Sequence, residues 1–177
     1  MRKLSVEELN RLSVEAFKNT KKNPFIILLD NVRSAHNVGS AFRTADAFAV
    51  EKIVLCGITA TPPNREIAKT ALGATQSVAW EYAEYSENAV QELKAAGYTI
   101  VALEQAAGSI LLNDYPVFGN AKYCFIFGNE VFGVDEKLFP YADACVEIPQ
   151  FGTKHSLNIS VSIGIVLWEC WRKQMQQ

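Results

Sequence analysis

Reactive polar side chains gather in an otherwise apolar stretch near the C-terminal end of the chain, "IPQFGTKHSLNISVSIG" at residues 148–164. Within five positions it carries Lys154, His155, Ser156 and Asn158. A serine beside a histidine could be a nucleophile, and a histidine could bind a metal ion. The sequence supports neither chemistry, because it has no G-x-S-x-G nucleophile elbow and neither histidine has further ligands at a useful spacing. We therefore predict no serine nucleophile and no metal site.

A second polar segment, "DNVRSAHNVGSAFRTADAF" at residues 30–48, has the pattern of a loop followed by a helix. We expect the helix to begin near residue 38 and to bury one apolar stripe, formed by Val38, Ala41, Phe42, Ala45 and Ala49. Arg43 then points away from the core and is free to meet a ligand, although such an arginine is more often a solvated surface residue. Asn37 could cap the helix, and Gly39 would leave its backbone open to a substrate.

The third polar segment, "FGNEVFGV" at residues 127–134, follows an apolar run and carries Glu130 between two glycines. Gly128 and Gly133 permit a tight, exposed turn there. The segment is not a P-loop, because no Lys-Ser or Lys-Thr pair follows its glycines, and no G-x-G-x-x-G dinucleotide motif occurs in the chain. Taken alone, Glu130 could serve a ligand or could be an ordinary turn or capping carboxylate.

Strands and helices alternate along the chain around these segments. We predict strands at residues 25–29, 53–56, 78–82, 98–103, 123–127 and 145–148. We predict helices at residues 5–17, 38–48, 65–72, 87–96, 135–141 and 156–173. This alternation indicates an α/β fold with a mainly parallel sheet and helices on both faces. Ligands of such folds bind beyond the carboxyl ends of the strands, so polar residues that directly follow strands are the best site candidates.

Capping residues set the expected helix ends. Ser5 and Glu8 have the spacing of a capping box for a first helix that extends to about Phe17. Its apolar side would consist of Val6, Leu9, Leu12 and Ala16. Ser86 and Ser156 stand where they could cap later helices, and Gly97 should end the helix before it.

The last predicted helix is apolar on two sides. One side carries Leu157, Val161, Ile165 and Trp168, and the other carries Ile159, Ile163 and Val166. A helix of this kind needs two partners to bury it, and the sheet of its own domain supplies only one of them. We therefore predict a homodimer that packs through the C-terminal helix.

Size and composition indicate one domain. The chain has 177 residues, 49% of them hydrophobic, and shows neither an apolar run long enough for a membrane span nor a secretory leader. We expect a soluble cytoplasmic protein without a membrane partner, with residues 25–177 as the main domain and residues 1–24 as a basic helical extension. The four cysteines stand inside apolar runs without a C-x-x-C pair, so we expect them in the core.

Charge is distributed unevenly along the chain. The net charge of −2 argues against a protein that coats nucleic acid by bulk positive charge. Residues 1–24, however, carry six of the seventeen lysines and arginines and only three of the nineteen acidic residues. This segment could contact nucleic acid, or it could be an ordinary solvated helix.

Taken together, the three polar segments resemble the three signature motifs of the TrmH-like (SpoU) branch of the SPOUT superfamily of RNA methyltransferases. Motif 1 is "NVGSAFRTADAFAV" at residues 37–50, motif 2 is "FIFGNEVFGV" at residues 125–134, and motif 3 is the segment at residues 148–164. A small-residue turn, "KTALGA" at residues 69–74, is also similar to the family. The resemblance covers roughly residues 25–170, and three motifs in order are far more specific than any one of them.

The resemblance implies an α/β fold whose C-terminal part is threaded into a deep trefoil knot, and a homodimer packed through the C-terminal helix. It also implies that the chain binds S-adenosylmethionine and releases S-adenosylhomocysteine. By motif position, this cofactor would lie among backbone groups at Leu103, Gly128, Ile148 and Leu157.

The implied reaction is methyl transfer to a ribose 2′-hydroxyl of tRNA or rRNA. The residues implied as catalytic are Arg43, Asn37, Glu130, Ser156 and Asn158. A guanidinium stays charged at neutral pH, so Arg43 would anchor phosphate and stabilise the developing alkoxide, and the acceptor of the hydroxyl proton stays open. RNA contacts are expected at Arg33, Arg43, Arg65 and Lys154.

Two alternatives stand beside this hypothesis. The chain could be a non-catalytic RNA- or nucleotide-binding module that kept the fold, or a SPOUT enzyme that methylates a base nitrogen. The complete set of five polar motif residues favours an enzyme over the binding module. The Asn37 and Arg43 pair in motif 1 favours ribose over base methylation.

Overall fold

Seven strands form one sheet in the computed structural model, which describes residues 1–5, 7–119 and 121–175. In chain order they are β1 (Asn23–Asp30), β2 (Val50–Cys56), β3 (Ala79–Ala83), β4 (Tyr98–Leu103), β5 (Ile110–Leu111), β6 (Lys122–Phe127) and β7 (Ala144–Glu147). Their order across the sheet is β3-β2-β1-β6-β4-β7-β5, and every registered pair of neighbouring strands is parallel. The predicted parallel sheet is therefore confirmed.

Five α-helices accompany the sheet within the same described ranges. They are α1 (Val14–Asn19), α2 (Ala35–Ala47), α3 (Arg65–Ala71), α4 (Ser86–Ala95) and α5 (Ile159–Gln174). Short 3-10 helices add turns at Glu7–Leu9, Ala74–Gln76 and Glu136–Tyr141. None of the helices that the structure describes has the length and apolar character that a membrane span needs.

Side chains that alternate along β1 enter two separate cores, one on each face of the sheet. Phe25, Ile27 and Leu29 pack with buried residues of α2, α3 and α5, whereas Ile26 and Leu28 pack with those of α4. This two-sided burial explains the unbroken apolar run at residues 25–29, and it confirms helices on both faces. Three of the four free cysteines are fully buried as predicted, namely Cys56, Cys124 and Cys170.

Helix α2 begins three residues before its predicted start at residue 38. Ser34 caps it by accepting a hydrogen bond from the Asn37 N–H at 3.3 Å, so the prediction that Asn37 is the cap is wrong. The apolar stripe is buried at Val38, Ala41, Phe42 and Ala45, and Ala49 lies beyond the helix. Gly39 does not face a substrate as expected. A Cβ there would lie 2.1 Å from Thr70 Oγ1, so this glycine instead allows α2 to pack closely on α3.

Two further predicted caps are wrong. Helix α5 starts at Ile159, and Asn158 rather than Ser156 caps it by accepting a hydrogen bond from the Ser160 N–H at 2.9 Å. Ser86 does not cap α4, because its hydroxyl donates to the buried carboxylate of Asp30 at 2.5 Å. The predicted stop at Gly97 is confirmed, since α4 ends at Ala95 and Gly97 has a φ of +84°.

The predicted first helix at residues 5–17 is wrong as a continuous element. Only the Glu7–Leu9 turn and α1 are helical in this part of the chain. The capping contacts do form, because the Ser5 N–H donates to the Glu8 carboxylate at 2.7 Å and the Glu8 N–H donates to Ser5 Oγ at 3.3 Å. The expected apolar side finds no partner, with Leu9 43% and Leu12 57% exposed, and Val6 lies outside the described residues. A cap without tertiary packing does not hold a long helix.

Helix α5 is apolar on two sides, as predicted, and only one of them is buried within the chain. The buried side consists of Ile159, Ile163, Val166, Leu167 and Cys170. On the other side Val161 is 49%, Ile165 36% and Trp168 53% exposed. We call these three residues the exposed α5 stripe.

Candidate active site

A cavity of about 790 Å³ lies at the carboxyl ends of β4, β6 and β7. Its walls are the loops that follow these strands, so the cavity occupies the edge of the sheet where α/β folds bind ligands. The volume is that of a small-molecule site. Motifs 2 and 3 supply most of its lining.

All four residues that the sequence implied as cofactor contacts line this cavity. They are Leu103, Gly128, Ile148 and Leu157, and they come from all three loops. Three of them are aliphatic and present an apolar surface beside backbone amide groups. Their assignment to a particular ligand stays a prediction, but the structure brings them together.

The charged side chains of the cavity lining are acidic. Four glutamates line it, namely Glu104, Glu130, Glu136 and Glu147. Among the described residues of the lining there is no lysine or arginine. Carboxylates attract a cationic ligand and repel phosphate, so the cavity suits a positively charged small molecule and not a polyphosphate or the RNA backbone.

Glu104 ties two walls of the cavity together. Its carboxylate accepts one hydrogen bond from the Gln105 N–H at 2.9 Å and another from the Val134 N–H at 3.0 Å. The motif 2 loop folds back so closely that a Cβ on Gly128 would lie 2.1 Å from the Val134 nitrogen. Gly133 has a φ of +72°, and its own Cβ would meet Glu104 at 2.1 Å. Both glycines are therefore needed for the shape of this wall.

Glu130 binds the start of α2. Its carboxylate accepts hydrogen bonds from the Arg33 N–H at 2.9 Å, the Ser34 N–H at 3.0 Å and Asn37 Nδ2 at 3.0 Å. Partial burial alone would raise the pKa of Glu130, but these hydrogen bonds together outweigh it and leave the pKa below its usual value. Glu130 is thus a carboxylate at neutral pH and acts as an acceptor only.

Asn37 and Asn158 connect motif 1 to motif 3. Asn158 Nδ2 donates to Asn37 Oδ1 at 3.2 Å, while Asn158 Oδ1 caps α5. Together with the Glu130 contact, this forms a chain of three side chains, one from each motif, which we call the Asn37–Glu130–Asn158 network. Glu130 and Asn158 also line the cavity, so the network forms part of its wall.

The remaining predicted site residues are placed differently. Ser156 lines the cavity but takes no part in the network. Arg43 is exposed on α2, six residues after Asn37, and does not belong to the lining. It makes no hydrogen bond or ion pair with any residue of the described ranges. Within one chain the structure therefore does not bring Arg43 to the cavity.

The three other residues predicted to contact RNA are exposed on loops or helix starts after strands. Arg33 follows β1, Arg65 opens α3 after β2, and Lys154 follows β7. Because all strand pairs are parallel, these positions lie at the same edge of the sheet as the cavity. The cationic groups thus stand outside an acidic cavity.

Sequence reasoning missed three polar residues that hold this edge together. Glu104 and Gln105 directly follow β4, and Gln105 Nε2 donates to the His155 carbonyl of motif 3 at 2.6 Å. Asp30 is only 1% exposed at the end of β1 and accepts the Asp135 N–H at 3.1 Å. All three satisfy the criterion that selected the other candidates, since they stand at the carboxyl ends of predicted strands.

The structure describes no metal-binding cluster. Across residues 1–5, 7–119 and 121–175, no group of three or more histidine, cysteine, aspartate and glutamate side chains is arranged to hold an ion.

Sequence comparison assigns the three motifs to one family. A model of the SpoU rRNA Methylase family matches residues 24–168, which include all three motifs. The chain belongs to this family. The resemblance stated from the motifs is thereby confirmed.

The chain is also similar to named RNA methyltransferases. It is 30% identical over 161 residues to the 23S rRNA (guanosine-2'-O-)-methyltransferase RlmB of Neisseria meningitidis, a match that covers 91% of this chain and 63% of the relative. It is 32% identical over 161 residues to the tRNA (guanosine(18)-2'-O)-methyltransferase of Aquifex aeolicus, covering 89% of this chain and 73% of that protein.

Among solved structures, an AdoMet-bound rRNA methyltransferase from Sinorhizobium meliloti superposes with a TM-score of 0.79 at 30% identity. The match covers 88% of this chain and 59% of that one. This chain therefore spans about three fifths of the length of that rRNA methyltransferase and of the RlmB relative.

Proposed function

We propose that the chain is an S-adenosylmethionine-dependent RNA methyltransferase that modifies a ribose 2′-hydroxyl of tRNA or rRNA. The observation that carries the proposal is the acidic cavity walled by motifs 2 and 3 and joined to motif 1 by the Asn37–Glu130–Asn158 network. Family membership supports it, as do relatives whose names state 2'-O-methylation of rRNA and tRNA.

The cavity lining fits S-adenosylmethionine. This molecule has a net positive charge, because its sulfonium and ammonium groups outweigh its carboxylate, and that charge suits the four glutamates. Its adenine ring suits the aliphatic side chains of Leu103, Ile148 and Leu157. When bound, it supplies an electrophilic methyl group, and transfer leaves S-adenosylhomocysteine. The cavity excludes the RNA phosphates by charge, so the ribose must meet the methyl group at the cavity mouth.

The network positions the reacting groups. The 2′-hydroxyl is a weak acid, so transfer needs its oxygen held in line with the methyl group while negative charge develops. Glu130 and Asn158 orient Asn37 from two sides, and the same contacts fix the start of α2 against the cavity wall. Ser156 also lines the cavity, and we assign it to the ribose side of this wall.

Arg43 stabilises the developing alkoxide and anchors a neighbouring phosphate. Its guanidinium keeps its charge and cannot accept the hydroxyl proton at neutral pH. Because Arg43 is exposed and lies outside the cavity lining of its own chain, we assign it to the cavity of a second copy. Helix α2, which carries Arg43, packs directly against α5.

The second copy binds through the exposed α5 stripe. Val161, Ile165 and Trp168 recur at helical spacing and form one apolar surface that no described part of the chain covers. A two-fold symmetric pairing buries the same stripe on both copies. The homodimer would thus place α2 of one copy beside the neighbouring site.

We further propose that the C-terminal part of the chain is threaded into a trefoil knot. We also propose that residues 25–177 form the catalytic domain and that residues 1–24 are its extension. The strand order supports threading, because β6 lies between β1 and β4 while the later β7 lies outside β4. The chain then returns to place α5 against α2. The family match at residues 24–168 supports the domain bounds.

Two measurements test this function. Titration calorimetry of the purified chain with S-adenosylmethionine should give a binding heat, and incubation with donor labelled in its methyl group should transfer label to total RNA from cells lacking the gene. Binding without transfer to any RNA would favour the non-catalytic module. Absence of both would refute the proposal.

A further inference from the structure

Two exposed phenylalanines stand on the two loops that contribute most to the cavity. Of the phenylalanines that the structure describes, Phe132 of motif 2 and Phe151 of motif 3 are the most exposed, at 85% and 97%. Phe132 lines the cavity, and Phe151 directly follows Gln150, which also lines it. Other aromatic rings are exposed as well, such as Phe118 at 61%, but these two are the most exposed phenylalanines and stand beside the cavity, so they need an explanation.

Phe132 stands in a hairpin whose backbone is held by several hydrogen bonds. Asn129 and Gly133 exchange two backbone hydrogen bonds of 2.9 Å across it. The Asn129 side chain accepts the N–H groups of Val131 at 2.9 Å and Phe132 at 3.2 Å. Asn129 Nδ2 also donates to the Asn31 carbonyl at 2.8 Å, which fixes the hairpin to the end of β1. The hairpin therefore holds the ring in solvent at a defined place.

The loop of Phe151 is fixed at its C-terminal end and carries positive charge. Its His155 carbonyl accepts the Gln105 side chain at 2.6 Å, and Asn158 is held by Asn37 at 3.2 Å. Residues 151–158 are all exposed, Lys154 among them. An aromatic ring and a lysine on one exposed loop are the combination that binds single-stranded nucleic acid.

We propose that Phe132 and Phe151 are stacking platforms for unpaired bases of the substrate RNA beside the reacting ribose. This inference rests on the proposed function and narrows its substrate to looped or single-stranded RNA. The acidic cavity repels phosphates, so the flat apolar rings beside it would hold the nucleotide through its base, while Arg43 anchors a neighbouring phosphate. Bases within a duplex are already stacked and leave no face for either ring.

Kinetics of aromatic-to-aliphatic variants test the proposal. At saturating donor, Phe132→Ala and Phe151→Ala should each raise the KM for total RNA from cells lacking the gene by about fivefold to about 150-fold. Phe151 is not part of the cavity lining, so Phe151→Ala should also leave donor affinity unchanged. Stacking needs an aromatic ring. The KM for RNA should therefore be raised as much in Phe132→Leu as in the alanine variant, and should stay near the wild-type value in Phe132→Trp. Phe118→Ala, a 61% exposed phenylalanine away from the cavity lining, is the matched control.

Three outcomes overturn the inference. An unchanged KM in both alanine variants would show that the rings do not bind RNA. Full rescue by Phe132→Leu would show general apolar packing rather than stacking. A raised KM that accompanies dissociation of the dimer in light scattering would assign the rings to a protein interface instead.

A binding measurement separates this inference from the proposed chemistry. In Phe132→Trp, single-stranded oligoadenylate should quench tryptophan fluorescence beyond the quenching seen in the wild type, and an RNA duplex should not. Quenching in Phe132→Trp together with no methyl transfer by the wild type would refute the proposed function and leave the stacking proposal intact. Normal methyl transfer by the wild type without added quenching in Phe132→Trp would refute the stacking proposal and leave the proposed function intact.

Discussion

Asn37 uses both polar atoms of its side-chain amide to join two motifs. Its Nδ2 donates to Glu130 and its Oδ1 accepts from Asn158. An amide is the natural group for this place, because it offers a donor to a carboxylate and an acceptor to a second amide. Glu130, in turn, accepts three donors and needs its negative charge to do so.

Replacement of Glu130 by glutamine should lower stability in a pH-dependent way. The pKa of Glu130 is depressed in the folded chain, so its contribution is present above the pKa of about 4.3 that an unfolded glutamate has, and is lost as pH falls through the folded pKa. We expect Glu130→Gln to cost about 1 kcal/mol near pH 7 because the group is partly exposed. Urea unfolding at pH 7 and pH 3 measures this, and an equal difference at both values would contradict it.

Replacement of Gly128 by alanine should deform the motif 2 wall. The new Cβ would lie 2.1 Å from backbone atoms of Gly133 and Val134, which cannot move aside without opening the loop. We expect donor affinity in titration calorimetry to fall at least about tenfold, a loss of about 1.4 kcal/mol. Gly152→Ala is the control, since its Cβ meets open space; equal affinities in the two variants would refute this role.

At the scale of elements, α5 has two functions in one helix. Its inner side closes the core over α2, and its outer side presents the exposed α5 stripe. The two-sided apolar pattern predicted this division correctly. The start of α5 was predicted three residues early, because serine and asparagine cap helices about equally well and the sequence does not choose between Ser156 and Asn158. In the structure Asn158 is the cap, and its side chain also contacts Asn37.

A charge in the exposed α5 stripe should separate the dimer. Trp168→Glu would place a carboxylate in the proposed apolar interface, where it has no partner. We expect light scattering to report a monomer with loss of methyl transfer and normal donor binding. Val14→Glu, a 42% exposed apolar residue on α1, should leave the mass unchanged. A dimeric Trp168→Glu would disprove an interface through this stripe.

At the scale of the molecule, the site exists because strand order brings distant segments together. Glu130 lies 93 residues from Asn37, and Asn158 lies 121 residues from it. Periodicity predicted the strands and helices, and polarity after strands predicted the candidate residues. Neither could predict that β6 inserts between β1 and β4, which is the step that sets motif 2 beside motif 1. Nor could they predict that Arg43 lies outside the cavity lining of its own chain, which we attribute to the proposed dimer.

Mixed dimers test whether Arg43 serves the neighbouring cavity. Arg43→Ala and Gly128→Ala chains with different affinity tags, co-expressed and purified as heterodimers, should recover about half of the wild-type activity, because one of the two sites regains both intact parts. Arg43→Ala alone should be inactive, and Gly128→Ala alone should have little activity at a donor concentration well below its Kd. Inactive heterodimers of normal mass would place Arg43 in the site of its own chain.

The central claim is that the methyl group goes to a ribose 2′-hydroxyl of RNA. A 2′-O-methyl group removes the nucleophile that cleaves the adjacent phosphodiester in alkali, so each modified nucleotide leaves a gap in an alkaline hydrolysis ladder. The direct measurement is this ladder for tRNA and rRNA from cells lacking the gene, after reaction with the wild type or with Arg43→Ala. We predict discrete protected positions with the wild type and none with Arg43→Ala; methyl incorporation without any protected position would mean base methylation and would contradict the account.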